Sequence, residues 1–233
     1  MSRFQTTRWS LIAAATHAAP MHARSALEQL CCAYRPPVLA YIRRAGHSSN
    51  DAEDLAQAFF VRFLERGWYT TADPQRGRFR ALLLTSLRHF LADAHAHDVA
   101  IKRGGGMLAD DADVDQLYDS AAETPEAAFD RAWLGTVLAR AMHRLQTEWG
   151  RAGKQAQFDQ LAPLLTEGVE ASELRAMAEA SGLRSNTVAV QAHRMRHRLR
   201  QLVRLELLQT VASREALEQE LAELRSFLPG HSP

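Results

Sequence analysis

Residues 173–204 read ELRAMAEASGLRSNTVAVQAHRMRHRLRQLVR, and the rest of the chain makes sense around them. Leu174, Met177 and Ala178 give a first short helix an apolar stripe at i, i+3, i+4 spacing. Gly182 follows, a residue that ends helices because it adopts a left-handed backbone at little cost. Ser185 or Asn186 is placed to cap a second helix by accepting hydrogen bonds from its free N–H groups. In that helix Val188, Ala192, Met195, Leu199 and Leu202 share one side. Arg194, Arg196, Arg198, Arg200 and Arg204 cover much of the remainder, and no Asp or Glu interrupts the run from Ala180 to Leu205.

Two helices joined by a tight, glycine-containing turn form the helix-turn-helix pattern, whose second helix enters the major groove of DNA. Ala178 and Gly182 are small where the two helices approach each other. The arginine coat suits neutralisation of phosphates, which drives much of DNA affinity. An ordinary helical hairpin with a solvated basic face would show the same pattern.

The 233-residue length fits one or two domains, and 46% hydrophobic content supports a sizeable core. A net charge of +1 argues against a general polyanion binder. Charge is distributed unevenly, acidic at Asp51–Asp54 and Asp110–Asp119 and basic at Arg194–Arg204, which points to different partners for different parts. Cys31 and Cys32 are adjacent and form no staple pattern, so they read as small buried apolar side chains. No signal peptide and no run of about 18 apolar residues is present, so the expectation is a cytoplasmic protein with no membrane partner.

Taken from its start, the chain reads as helix throughout, an all-α fold with no clear strand alternation. Residues 7–45 carry apolar stripes through Trp9, Leu11, Ile12, Ala26, Leu27, Leu30, Val38, Leu39 and Ile42, stopped by Gly46. In the next helix Ser48, Ser49 or Asn50 can cap, Asp51, Glu53 and Asp54 occupy the first turn, and Leu55, Phe59, Phe60, Phe63 and Leu64 form the buried stripe. The acidic turn is either capping chemistry alone or a docking patch for a basic partner. A loop, Trp68–Arg78, mixes aromatic and cationic residues around Pro74 and Gly77. The helix after it buries Phe79, Leu82, Leu83, Leu87, Phe90 and Leu91 and carries Arg80, Arg88, Lys102 and Arg103. Aromatics interleaved with arginines suit unstacked bases and their backbone. His89, Asp93, His95, His97 and Asp98 match no metal motif. Residues 104–128 are acidic, poor in large apolar side chains and rich in helix breakers, the composition of a linker. A second helical domain begins near Phe129, with Trp133, Val137, Leu138, Met142 and Leu145 on one face. Past the basic helix, Leu217, Leu221, Leu224 and Leu228 make a narrow stripe that must pack on something.

These pieces in this order resemble a bacterial RNA polymerase sigma factor of the extracytoplasmic-function (ECF) type, and the resemblance covers nearly the whole chain. DAEDLAQAFFVRFLERG, RGRFRALLLTSLRHFLAD and SGLRSNTVAVQAHRMRHRLRQLV carry it. TTRWSLI, KRGGG and the helix after TVAS point to an ECF-like branch with a C-terminal helical extension. The resemblance implies sigma region 2 in residues 1–103, an acidic flexible linker in 104–128, a region 4 helix-turn-helix in 129–205 and the extension in 206–233.

It also implies roles for particular residues. Asp51, Glu53, Asp54 and Gln57 would contact core RNA polymerase. Trp68, Arg76, Arg78, Arg80, Arg88 and His89 would hold the −10 element, with a base captured by the loop and the opened strand along the helix. Arg184, Asn186, Thr187, Gln191, Arg194 and Arg198 would meet the −35 duplex, where arginine reads guanine and glutamine reads adenine. Core polymerase and promoter DNA are the expected partners, with an anti-sigma protein or other regulator as a further candidate. No cofactor, metal or catalytic motif is expected, and the chain is read as a non-enzyme. The competing reading is a stand-alone helix-turn-helix regulator that binds duplex DNA as a dimer.

Overall fold

The computed structural model describes residues 12, 15–16, 19–72, 79–104, 123–165, 175–179, 184–208, 210–211 and 213–225. Among them the fold is all-α, with no strand. The expectations that fall on Trp9, Leu11, Pro74, Arg76, Gly77, Arg78, Leu174, Gly182, Leu228, the side chain of Leu224 and most of the acidic linker lie outside what the structure describes.

The chain forms two compact units, one of residues 1–136 with 208–233 and one of Val137–Leu207. The first unit is built on helices α1 (Pro20–Arg44), α2 (Ser49–Glu65) and α3 (Phe79–Gly104). It also holds the start of α4 (Pro125–Arg151) and the C-terminal helix α7 (Arg214–Arg225). Its core is aromatic. Tyr34 of α1 stacks on Trp133 of α4 with ring centroids 4.7 Å apart, and Phe79 meets Tyr34 edge-on at 5.3 Å. Phe59 packs against Phe90 at 5.6 Å, edge to face. Offset and edge-on pairs of this kind add to what burial alone contributes.

Sequence rules explain most of α2 and α3. Ser48 is the cap of α2: its hydroxyl accepts the Asp51 backbone N–H at 3.2 Å. The buried side of α2 is Ala52, Ala56, Phe59 and Phe63, with Leu55, Phe60 and Leu64 half-buried beside it. In α3 Phe79, Leu83, Leu87 and Phe90 are buried, at i, i+4, i+8 and i+11. Cys31 is half-buried and its thiol is pushed up to about 11, by burial first and by Cys32 second. Cys32 departs from expectation: it is exposed, because one step along a helix turns the side chain about 100°.

The second unit packs the end of α4, α5 (Gln155–Leu161), a 3₁₀ turn (Ala162–Leu165), helical residues 175–179 and α6 (Ser185–Leu208) up to Leu207. Its core joins Leu145, Phe158, Leu161 and Leu164 to Ala178, Val188, Ala192, Met195 and Leu202. On α4, Val137, Ala141 and Leu145 face inward, whereas Leu138, expected on that face, is exposed. The i, i+4 ladder from Trp133 leaves Leu138 one position round the helix.

Candidate functional site

The acidic first turn of α2 does two different things. Glu53 is half-buried and ties α1 to α2, accepting hydrogen bonds from Arg35 and, at 3.1 Å, from Arg43. Asp51 accepts the Ser48 hydroxyl at 2.7 Å and stays exposed, as do Asp54 and Gln57. The outward patch is therefore Asp51, Asp54 and Gln57, with Glu53 serving as a brace behind them.

Trp68 opens a 3₁₀ turn, Trp68–Thr71, directly after Gly67. Gly67 takes φ +62°, a left-handed conformation that L side chains rarely adopt. That reversal swings the half-buried Trp68 ring edge-on against Phe63, with centroids 6.0 Å apart. Arg76 and Arg78 lie outside the described residues. Arg88 and His89 are exposed on α3, and Arg88 has Glu126 at 3.9 Å.

Arg80 is placed differently, being only 7% exposed. Its guanidinium is met by Asp130 of α4 and by Glu220 and Glu223 of α7. Nη2 donates to one Glu220 oxygen and to Glu223, at 3.2 Å each, and Nε lies 3.2 Å from the other Glu220 oxygen. Sequence reasoning did not foresee these partners. The one available signal was Glu220 itself, a charge on the same face as Leu217 and Leu221 in the narrow stripe of α7.

In the second unit, α6 starts one residue earlier than capping by Ser185 or Asn186 would place it. The Arg184 carbonyl accepts the Thr187 N–H at 2.8 Å, so Ser185 and Asn186 stand in the first turn. Arg184, Asn186, Thr187 and Arg194 are exposed. Gln191 is half-buried and accepts a hydrogen bond from Gln157 at 3.0 Å. Arg198 donates through Nε and Nη2 to Glu148 and through Nη1 to Gln201. The Arg198 hydrogen bonds hold the Glu148 carboxyl below the usual glutamate range, and Glu148 in turn pushes the guanidinium up. The helix thus presents Arg184, Asn186, Thr187 and Arg194 outward, with Gln191 and Arg198 oriented by neighbours in their own unit.

Among the described residues no group of three His, Cys, Asp or Glu is placed to hold a metal ion. No described helix is long and apolar enough to cross a membrane. No curated protein and no solved structure matches the chain. Residues 31–98 do match a family model, that of sigma-70 region 2, and the match spans Glu53, the exposed acidic patch, Trp68 and the helix bearing Arg80 and Arg88. Residues 31–98 thus form a sigma-70 region 2 domain, a match that supports a sigma-factor role in promoter recognition by RNA polymerase, a non-enzymatic one.

Proposed function

We propose that the chain is an ECF-type sigma factor that binds core RNA polymerase, recognises −10 and −35 promoter elements and directs transcription initiation. The observation that carries this reading is the sigma-70 region 2 match over residues 31–98. Its outward acidic patch of Asp51, Asp54 and Gln57 supports polymerase docking, because carboxylates at a helix start are free to pair with a basic partner. The outward cations of α3, Arg88 with its neighbour His89, support contact with the opened −10 strand. The exposed Arg184, just before α6, and Asn186, Thr187 and Arg194 on it support reading of the −35 duplex in its major groove. Residues 129–205 would then serve as region 4 and 104–128 as the connecting acidic segment, with the whole protein acting in the cytoplasm.

The test is co-elution with purified core RNA polymerase, followed by run-off transcription on a library of genomic promoters. Wild type should elute with the core enzyme and yield discrete transcripts. Reversing the charge of Asp51 and Asp54 should remove co-elution while leaving the helical circular dichroism intact. A wild-type chain that stays apart from core polymerase and instead footprints a palindromic duplex as a dimer would overturn the reading.

A further inference from the structure

Arg80 and Arg88 of α3 belong to the region 2 domain, yet the carboxylates facing them do not. Arg88 faces Glu126, and Arg80 faces Asp130, Glu220 and Glu223, all beyond residues 31–98. Glu220 is 1% exposed and grips Arg80 side-on with both oxygens, the geometry in which a guanidinium also holds a phosphate. The segment that brings Glu220 there is short. Among its described residues Thr210, Val211, Leu217 and Glu220 are buried and Leu221 is half-buried, while Glu215, Glu218 and Glu223 are exposed. Release of one terminal helix is a local opening, which costs less free energy than global unfolding.

We propose that α7 is an internal polyanion that occupies Arg80 in the free chain, and that the phosphodiester backbone of single-stranded promoter DNA competes with it for that site. This rests on the sigma-factor reading and adds to it a mask built from the chain's own C-terminal helix. Strand binding and α7 docking exclude each other at the guanidinium, so DNA gains affinity whenever the helix is displaced. The acidic mask also disfavours unspecific nucleic acid before polymerase and promoter are engaged together.

The experiment uses the full-length chain and a short, fluorescein-labelled single-stranded oligonucleotide of mixed sequence, followed by anisotropy at low salt. The double variant Glu220→Gln, Glu223→Gln should bind about fivefold tighter than wild type or better, since it removes the competing charges and keeps the side-chain shapes. The double variant Glu28→Gln, Glu65→Gln makes the same net-charge change at exposed positions of the same unit and should bind much as wild type does. Equal tightening in both, or none in the first, overturns the proposal. Should the first variant fail to fold, hydrogen exchange on wild type decides. Saturating oligonucleotide should strip protection from the amides of Arg214–Arg225, and unchanged or increased protection there overturns the proposal. Co-elution with core polymerase separates the two levels: a chain that binds the core enzyme but shows no competition refutes the mask alone. A chain that never binds the core enzyme refutes the sigma-factor reading.

Discussion

Arg198 and Glu148 face each other through two hydrogen bonds, Nε to Oε2 at 2.9 Å and Nη2 to Oε1 at 2.8 Å. The pair fastens the arginine-coated helix α6 to α4 within one unit. It also decides which arginines are ready for a ligand: Arg194 projects outward, whereas Arg198 already has its fork in use. A guanidinium oriented in this way has less side-chain entropy to lose on meeting DNA, but it must share or give up its carboxylate first.

Glu148→Gln therefore frees a cation and deletes a charge that repels phosphate. Unspecific duplex DNA should bind several-fold tighter at low salt. If the released Arg198 adds one phosphate contact, the slope of log K against log salt steepens by about 0.9. Fluorescence anisotropy across a salt series checks both. An unchanged slope would mean that Arg198 stays out of reach of the duplex and acts only as a clamp.

The same pair has a pH signature. Hydrogen bonding from Arg198 lowers the Glu148 pKa below its ordinary 4.5, so the folded state holds this carboxylate more ionised than the unfolded chain does. The stabilisation is fully present above pH 4.5 and is lost as pH falls through the lower folded value. With side chains 40% and 34% exposed, its size is under about 1 kcal/mol. Urea titrations of wild type and Glu148→Gln should differ by a constant amount from about pH 7 to about pH 5 and converge in more acidic buffer. A gap that widens on acidification would contradict the sign.

What the sequence made legible follows physical range. Periodic large apolar residues announced the helices, and Phe59, Phe63, Leu83 and Leu87 lie buried where their spacing put them. Ala52 and Ala56 were overlooked because an alanine carries little hydrophobic signal, although both are fully packed. The acidic turn of α2 was visible as a cluster, but the division of labour inside it was not. Glu53 differs from Asp54 only through Arg35 and Arg43 on another helix. Arg80 shows the limit most clearly. Its cationic character suited a nucleic-acid strand, and local pattern has no means of reporting a carboxylate 140 positions away. Pairings of that sequence separation are decided by topology, which helix periodicity does not encode.

Trp133 offers a test of where the first unit ends. It is fully buried and stacked on Tyr34 at 4.7 Å and 4°, although it lies well outside residues 31–98. Trp133→Ala should cost about 3–5 kcal/mol, from lost burial, lost stacking and the cavity left between α1 and α4. Trp133→Phe keeps a ring for Tyr34 and should cost less than half as much. Urea unfolding followed by circular dichroism measures both. A loss under about 1 kcal/mol for the alanine variant would show that α4 is dispensable to this unit.

Gly67 carries the last test, because it sets the direction from which Trp68 is presented. Its φ of +62° is the constraint, since a Cβ built there would meet Thr70 no closer than 3.8 Å. Crowding is therefore absent and the whole penalty of Gly67→Ala is backbone strain, about 1–2 kcal/mol. Asparagine tolerates the left-handed region better, so Gly67→Asn should recover part of that loss. The local reporter is the Thr70 amide, which donates to the Gly67 carbonyl at 2.9 Å. Its hydrogen exchange should speed up in the alanine variant and fall between the two in the asparagine variant. If alanine and asparagine destabilise equally, the penalty is steric rather than conformational, and the turn does not depend on glycine's backbone freedom.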